Sequence, residues 1–305
     1  MGTPAIQVEH LRKAYGATIA VDDVSLTVHA GEIVGILGPN GAGKTTTVEC
    51  IAGLRVPDAG TVSVLGLDPQ RDSAVLKQRV ALQLQESEMP AKITSIEAMR
   101  LYASFYDDPA DPDELLRDLG LADRRDTQFR RLSGGQKQRL SVALALVGSP
   151  EVAILDELTT GLDPQARRET WGVVERIRER GVTILLVTHF MEEAERLADR
   201  VLLIDHGRVI AEGTPAELAA RTNLQTVRFR TTTPVPPGLI EALPGVASLS
   251  VEGGDHEVRG AEMAVDVVLA LDAIGIRPEH LRVEQGSLEE TFVALVTTPV
   301  ADKEA

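Results

Sequence analysis

Short apolar runs alternate with segments of helical spacing over the first two-thirds of the chain. Four runs are apolar almost throughout and are bounded by polar residues: residues 33–37, 152–155, 182–187 and 201–204. Runs of this kind are typical of strands that are buried on both faces of a parallel sheet. Between them, apolar residues such as Trp171, Val174 and Ile177 recur at helical spacing. The pattern predicts an α/β domain whose parallel sheet is covered by helices.

One segment inside this domain has a different texture. Helix-forming stretches at residues 97–104 and 113–119 flank a break at residues 107–113 that is rich in proline and aspartate. We interpret this segment as a helical insertion in the α/β domain. The predicted first domain therefore spans residues 1–220, with a helical subdomain at about 86–150.

A second domain is predicted over residues 221–305 from a new alternation of short elements. The expected order is strand, helix, strand, strand, helix, strand, helix, at residues 226–230, 239–243, 246–251, 256–258, 261–274, 281–284 and 288–296. This βαββαβ order with an added helix resembles a ferredoxin-like unit. We therefore expect a small α+β accessory or regulatory domain.

A glycine-rich loop follows the first apolar run and matches the pattern G-x-x-x-x-G-K-[ST]. Its candidate phosphate-binding residues are Gly38, Asn40, Gly41, Gly43, Lys44, Thr45 and Thr46. Glycines let the backbone N–H groups turn toward one anion, and the start of the following helix adds a positive partial charge. Lys44 can reach the β- and γ-phosphates, and the Thr45 hydroxyl can coordinate Mg²⁺. The alternative is a glycine-rich turn that binds nothing.

Two acids end the run at residues 152–155. Asp156 is suited to hold Mg²⁺, and Glu157 is suited to polarise an attacking water as a general base. Open α/β sheets bind ligands at the carboxyl ends of their strands, where the glycine-rich loop also lies. A solvated acidic turn is the alternative interpretation.

The segment Leu-Ser-Gly-Gly-Gln at residues 132–136 distinguishes among families that share the phosphate loop. On chemistry alone it is a helix N-cap with glycines. It is identical to the signature motif of the ATP-binding cassette family, which the chain resembles over roughly residues 5–220. The resemblance implies a P-loop ATPase core and assigns contacts with ATP to Ser133, Gly135 and Gln136.

The same resemblance assigns further roles along the chain. Tyr15 would stack on adenine, and Gln85 would sense Mg²⁺, take part in catalysis and couple the site to a membrane partner. Asp163 would contact the second monomer at the nucleotide, and His189 would contact the γ-phosphate. Leu158 departs from the family, which usually has proline there, and we expect altered local geometry without loss of hydrolysis.

Each of these residues also has a simpler interpretation. Tyr15 could be a half-buried strand residue, Gln85 could be a surface loop residue, and His189 could cap the acidic segment that follows it. Gln83 lies close to Gln85 and is its competitor for the glutamine position. We prefer Gln85 because the family glutamine is commonly followed by an acid, here Glu86.

The resemblance also implies an assembly. Two copies would face each other head to tail around ATP and Mg²⁺, and a separate transmembrane permease would carry the cargo. The segments at residues 286–292, 205–207 and 213–215 are similar to those of exporter subunits of the daunorubicin-resistance type. The expected function is to power the export of drugs, antibiotics or lipids.

Composition restricts the alternatives. The net charge of −15 and the pI of about 4.9 disfavour nucleic acid as a partner, against the alternative of a soluble ABC ATPase acting on nucleic acid or ribosomes. The other alternative, a P-loop protein that serves as a nucleotide switch, is disfavoured by Glu157 and His189.

Cys50 is the one cysteine, which fits a reducing compartment. We see no secretory signal and no run near the ~20 apolar residues of a membrane span. We therefore expect a cytoplasmic protein, peripheral on the inner face of the cell membrane.

Overall fold

The computed structural model of the protein describes residues 4–83, 89–221 and 223–297. The chain divides into two compact units, Met1–Glu212 and Gly213–Ala305. The division falls before the helix at Pro215–Ala220, which the sequence analysis assigned to the first domain. We describe the two units separately.

The first unit is built on a large mixed sheet. Its strands are β1 (Ile6–Tyr15), β2 (Thr18–Val28), β3 (Ile33–Leu37), β4 (Ala59–Val64), β5 (Val80–Gln83), β6 (Val152–Asp156), β7 (Thr183–Thr188), β8 (Arg200–Asp205) and β9 (Arg208–Gly213). Within the described residues the order is β4-β1-β2-β9-β8-β3-β7-β6-β5. The ladder from β8 through β3, β7 and β6 to β5 is parallel, whereas β1 pairs antiparallel with β2 and β4.

Helices cover both faces of the parallel part. They are α1 (Lys44–Ile51), α2 (Ser73–Arg79), α3 (Ser95–Ala103), α4 (Pro112–Asp118), α5 (Gly134–Leu146), α6 (Pro164–Glu179) and α7 (Met191–Leu197), with 3₁₀ turns at Ala122–Arg124 and Phe129–Arg131. All residues of β3, β6 and β7 are buried, as the unbroken apolar runs predicted. The α/β class is thereby confirmed. Across the described ranges, including the second unit, no helix has the length and apolarity to cross a membrane.

Two apolar clusters lie on opposite faces of this sheet. Leu155 and Leu186 point into one cluster with Leu140 of α5 and Trp171 of α6. Ile36, Ile154 and Val187 point into the other cluster with residues of α1. Because side chains alternate along a strand, each central strand contributes to both clusters. The sheet is therefore fixed from both sides, and the positions of its strand ends are fixed with it.

Helices α3, α4 and α5 form the helical segment between β5 and β6, close to the positions expected from the sequence. Each starts at a residue whose side chain accepts a backbone N–H of the first turn: Thr94, Asp111 and Ser133. Such N-caps satisfy donors that the helix itself leaves free. Met99 of α3 and Leu116 of α4 then bury against the cluster that contains Leu140.

The second unit is a smaller sheet with helices. It comprises α8 (Pro215–Ala220), β10 (Leu224–Arg230), β11 (Val246–Glu252), β12 (Asp255–Ala261), α9 (Ala264–Ala273), β13 (Glu279–Gln285) and α10 (Leu288–Thr297). The strands pair antiparallel in the order β11-β12-β10-β13. Val227 and Val258 on one face of this sheet pack with Val267 and Leu271 of α9.

The helix predicted at residues 239–243 is wrong, because this segment forms turns. Pro-Pro-Gly precedes it at 236–238 and Pro-Gly follows it at 244–245, which leaves too few residues for a stable helix. Gly238 has a φ of 80°, a left-handed conformation that belongs to turns. Ile240 nevertheless anchors the segment in the core of the second unit, with no exposed surface.

A leucine truncation on α5 tests whether this helix anchors the first unit. Leu140 is 0% exposed, so Leu140→Ala should lower the free energy of unfolding by about 2–5 kcal/mol through lost burial and a cavity. Leu101→Ala on α3 is the control, because Leu101 is 47% exposed and should cost about 0.5 kcal/mol or less. Urea unfolding followed by the fluorescence of Trp171, the one tryptophan, measures both. Equal effects of the two substitutions would contradict the packing described.

Candidate active site

The glycine-rich loop follows β3 and leads into α1. Gly43 precedes α1 with a φ of 100°, and a Cβ atom there would lie 2.2 Å from the carbonyl oxygen of Ala20. Both the left-handed conformation and the close approach of β2 require glycine at this position. On the other side, Gly207 N donates to Ala42 O at 2.9 Å. The β1–β2 hairpin and the β8–β9 turn therefore hold the loop in place.

Lys44 lies at the first turn of α1 with its ammonium group folded over the loop. Its Nζ donates to Gly38 O at 2.8 Å and to Pro39 O at 2.9 Å. Burial lowers the pKa of Lys44, and the charges of Glu157 and Asp156 act in the opposite direction. Thr45 is exposed and Thr46 is half-buried at the same helix start. Asn40 and Gly41 are exposed at the tip of the loop.

Asp156 is the last residue of β6 and is only 2% exposed. Burial raises the pKa of Asp156 to about 6; the charge of Glu157 adds to the rise and that of Lys44 reduces it. Among the described residues, its Oδ1 has no hydrogen-bond partner. A buried carboxylate oxygen without a partner, close to a lysine and a second carboxylate, fits a divalent cation with oxygen ligands. Asp156 and the Thr45 hydroxyl supply such oxygens.

Glu157 follows in a conformation that few residues adopt. Its φ is 49°, in the left-handed region, while its backbone N–H donates to Val187 O at 2.8 Å. Strain of this kind persists only where the surroundings enforce it. Leu158 is 1% exposed and packs into the apolar cluster below, so the leucine that replaces the family proline anchors the turn. The Glu157 side chain is 13% exposed and accepts a hydrogen bond from Thr160 Oγ1 at 3.3 Å.

His189 follows β7, which lies between β3 and β6 in the sheet. Its Nδ1 lies 3.3 Å from Glu157 Oε1, within reach of a hydrogen bond. The imidazole is about one-third exposed and packs against the Phe190 ring, with ring centroids 4.1 Å apart and an interplanar angle of 39°. The structure thus joins the predicted histidine to the predicted base. The alternative of a histidine that only caps α7 does not account for this contact.

The Leu-Ser-Gly-Gly-Gln segment opens α5 and packs on the start of α6. Ser133 and Gln136 form a reciprocal capping box, with Ser133 Oγ accepting from Gln136 N. A Cβ atom on Gly135 would lie 2.9 Å from Ala166 Cβ of α6, so glycine permits this approach. Asp163 caps α6 and accepts from Gln165 N at 3.0 Å and Ala166 N at 2.9 Å. Ser133 and Asp163 therefore lie on two helix starts that are packed together.

Of the two remaining predicted site residues, Tyr15 lies within the described residues and Gln85 does not. Tyr15 ends β1, is 43% exposed and lies beside two cations, with Lys13 Nζ 5.7 Å and Arg55 Cζ 5.9 Å from its ring centroid. It belongs to the hairpin that contacts Gly43, and its open ring face suits stacking. Gln85 lies outside the described residues. Its competitor Gln83 ends β5 and is 4% exposed.

Glu193 was not among the site residues predicted from the sequence. Residues 192–195 look like a solvated acidic face, yet Glu193 is fully buried while Glu192 and Glu195 are exposed. The signal in the sequence was helical phase, because Glu193, Ala194 and Leu197 share one face of α7. Because Glu193 is acidic like its neighbours, the sequence offered no direct sign that it is buried.

The strand ends bring a phosphate loop, a buried acid, a strained glutamate and a histidine to one sheet edge. This constellation defines a P-loop nucleotide hydrolase of the α/β class. The chain matches the ABC transporter family over residues 21–160. It is 35% identical to the daunorubicin/doxorubicin resistance ATP-binding protein DrrA of Streptomyces peucetius, over 99% of this chain and 95% of that protein. The chain belongs to the ABC transporter family, as an ATP-binding subunit that hydrolyses ATP.

Other relatives agree with this assignment. The Nod factor export ATP-binding protein I of Ralstonia nicotianae is 42% identical over 71% of this chain and 69% of its own length. A solved ATP-binding subunit of an ABC transporter superposes with a TM-score of 0.63 at 31% identity, over 71% of this chain and 92% of that structure. The cbiO1 subunit from Clostridium perfringens superposes with a TM-score of 0.65 at 28% identity, over 72% of this chain and 92% of its own. Subunits of this family dimerise and work with transmembrane partners.

The raised pKa of Asp156 predicts a pH dependence of stability in the absence of nucleotide and Mg²⁺. The folded protein holds this proton more tightly than the unfolded chain, so the contribution of Asp156 to the free energy of unfolding should fall as pH rises from about 4 to about 6. Asp156→Asn removes this penalty and should be more stable than wild type by about 1–3 kcal/mol at pH 7.5. The advantage should disappear below about pH 4.

Urea unfolding between pH 4 and pH 8 measures this difference. Asp108→Asn is the matched control, because Asp108 is exposed and should leave the pH dependence unchanged. A wild-type and an Asp156→Asn protein with the same stability at pH 7.5 would contradict the burial of the charged carboxylate.

Proposed function

We propose that this chain powers the export of drugs, antibiotics or lipids through a separate membrane permease, by hydrolysing ATP at the edge of the first-unit sheet. The observation that carries the proposal is the convergence of Lys44, Asp156, Glu157 and His189 at neighbouring strand ends. The full-length similarity to a daunorubicin/doxorubicin resistance protein supports the cargo class. Similarity to Nod factor export subunits supports the outward direction of transport.

In this proposal the glycine-rich loop and Lys44 bind the phosphates of ATP. The Lys44 ammonium, which now donates to two loop carbonyls, exchanges these for β- and γ-phosphate oxygens. Tyr15 stacks on the adenine with the two neighbouring cations around its ring. Gly38, Asn40, Gly41, Gly43 and Thr46 complete the loop contacts.

Thr45, Asp156 and Gln85 are the proposed residues for Mg²⁺. The buried Asp156 oxygen without a partner supports the assignment, because a cation supplies what the fold leaves unsatisfied. Mg²⁺ in this position would neutralise the charge that develops on the phosphate oxygens. Cation binding would also lower the pKa of Asp156 and keep it ionised.

Glu157 is the proposed general base. It accepts a proton from water as the water oxygen bonds to the γ-phosphorus and the bond to the β–γ bridging oxygen breaks, which releases ADP and phosphate. The contact at 3.3 Å lets His189 orient Glu157 and face the γ-phosphate. The left-handed backbone conformation at Glu157 sets the direction in which its side chain leaves the backbone.

The complete site requires a second copy of the chain. Ser133, Gly135 and Gln136 of one copy would close over ATP held by the loop of the other, with Asp163 contacting the partner at the nucleotide. Packing of α5 on α6 supports this, because it presents both helix starts as one rigid surface. ATP then favours the closed dimer by its higher affinity for that state, and hydrolysis reopens it. The chain would act at the inner face of the membrane, where the permease senses this cycle through the region of Gln85.

Glu157→Gln tests the proposed base. The variant keeps its volume but cannot take a proton, so turnover should fall by about a hundredfold or more while ATP still binds. Dimers should accumulate with ATP, as measured by light scattering. Steady-state ATP hydrolysis is compared for both proteins, alone and with the co-expressed permease.

In that experiment the permease should stimulate the wild type and not the variant. Normal turnover of Glu157→Gln would remove Glu157 from the role of base. Stimulation by nucleic acid or ribosomes, with indifference to the permease, would overturn the export proposal.

Lys44→Ala tests the phosphate loop separately from catalysis. Loss of the charge-assisted contacts should weaken ATP binding by about tenfold or more, because hydrogen bonds to charged groups contribute about 1.5–3 kcal/mol. Lys77→Ala is the control, since Lys77 is an exposed lysine on α2. Titration of a fluorescent ATP analogue measures both, and unchanged affinity in Lys44→Ala would contradict the assignment.

A further inference from the structure

Glu193 on α7 is a buried acid that none of the proposed roles uses. Its exposed surface is 0%, whereas acidic side chains are almost never fully buried unless they are paired. Burial of a carboxylate costs free energy, so partners must compensate for it. Those partners connect Glu193 to the site.

The clearest partner is the indole of Trp171 on α6. Trp171 Nε1 donates to Glu193 Oε1 at 3.1 Å in a fully buried hydrogen bond. Burial raises the pKa of Glu193, whereas the hydroxyls of Thr188 and Thr159, the indole and the charge of Arg167 act against that rise. Within the described part of the chain, Oε2 meets no partner in hydrogen-bonding geometry.

The groups that act on the Glu193 carboxylate belong to three segments that carry site residues. Thr188 directly precedes His189, and Thr159 follows the pair Glu157 and Leu158. Trp171 lies on α6, which begins at the cap Asp163. The Glu193 carboxylate therefore lies where the segments of the base, the histidine and the dimer contact meet.

A chain of short contacts leads from Thr188, whose hydroxyl acts on the pKa of Glu193, to the imidazole. Thr188 Oγ1 accepts from Phe190 N at 3.0 Å, which fixes the turn that carries His189. The Phe190 ring packs against His189 at a tilt, and Arg167 Cζ lies 4.4 Å from the centroid of the Phe190 ring. Arg167 is on α6, the helix that Glu193 contacts through Trp171. Movement of Glu193 would therefore shift the turn and the ring that support His189.

We propose that Glu193 is a positioning residue, which holds His189 against Glu157 by tying the end of β7 to α6 and to the turn after β6. The inference rests on the proposed function, because it assumes that Glu157 and His189 carry out hydrolysis. Glu193 acts through these residues and does not itself touch the nucleotide. Its loss should impair the chemical step more than ATP binding.

Glu193→Gln in the full chain is the first test. The amide keeps its volume and an acceptor for Trp171 Nε1, but it loses the negative charge that faces Thr188, Thr159 and Arg167. Single-turnover hydrolysis should slow by about tenfold, because small displacements of catalytic groups cost ten- to a hundredfold in rate. The Kd for a fluorescent ATP analogue should change by about twofold or less.

Two controls separate this role from general stability. Leu197→Val trims a buried leucine on the same face of α7 without touching the network, and Glu195→Gln removes an exposed charge from the same helix. Both should hydrolyse ATP like the wild type at a temperature where urea unfolding shows all proteins folded. A slowing of Leu197→Val equal to that of Glu193→Gln would overturn the proposal.

A double-mutant cycle with His189→Ala provides the decisive readout. If Glu193 acts through His189, Glu193→Gln should slow His189→Ala by about twofold or less, far below its effect in the wild type. If Glu193→Gln slows His189→Ala by the same factor as it slows the wild type, the proposal is overturned. If Glu193→Gln fails to fold, Trp171→Phe carries the same cycle, because it removes the indole donor and keeps an aromatic ring; its folding is then followed by circular dichroism, since it removes the one tryptophan.

The rate of ATP hydrolysis by Glu157→Gln distinguishes a failure of this inference from a failure of the proposed function. If Glu157→Gln hydrolyses ATP slowly while Glu193→Gln hydrolyses it at the wild-type rate, the positioning role alone is rejected. Normal turnover of Glu157→Gln would instead reject the assignment on which the inference rests.

Discussion

The exclusion of water from three neighbouring parallel strands is the constraint on which the site depends. Because β3, β7 and β6 are buried on both faces, their carboxyl ends are held side by side and cannot shift in register without burying polar groups. Those ends carry the loop before Lys44, His189, and the pair Asp156 and Glu157. The same exclusion of water disfavours charged groups at this edge, so burial lowers the pKa of Lys44 and raises that of Asp156.

Three energetically unfavourable features of the first unit lie at or near the same edge. Asp156 is buried with an unsatisfied oxygen, Glu157 has a left-handed backbone, and Glu193 is a carboxylate without exposed surface. Each lowers the stability of the fold, so the surrounding core must supply the compensation. Leu158 shows how this is done, because its buried side chain fixes the turn that strains Glu157. A nucleotide site that is set in advance of binding explains why the fold retains these features.

The packing of helix on helix extends this order to the proposed dimer surface. The close approach of Gly135 to Ala166 joins the starts of α5 and α6, which carry Ser133 and Asp163. Through Trp171, α6 also contacts the carboxylate beneath the histidine turn. One helix thus links the surface offered to a second copy with the residues proposed for hydrolysis, as a machine that couples closure to chemistry requires.

The sequence by itself determined the parallel core and most of the site, because unbroken apolar runs predict buried strands and the motifs directly follow them. Lys44, Asp156 and Glu157 were found in this way, whereas His189 was assigned through the resemblance to the ATP-binding cassette family. The helix predicted at 239–243 failed because flanking prolines and glycines outweighed a short apolar pattern. Only the tertiary structure decided that His189 contacts Glu157, or that Glu193 is buried among exposed acids. Pairing and burial of this kind depend on which strand ends and helix faces meet across the fold, and no local pattern along the chain records that.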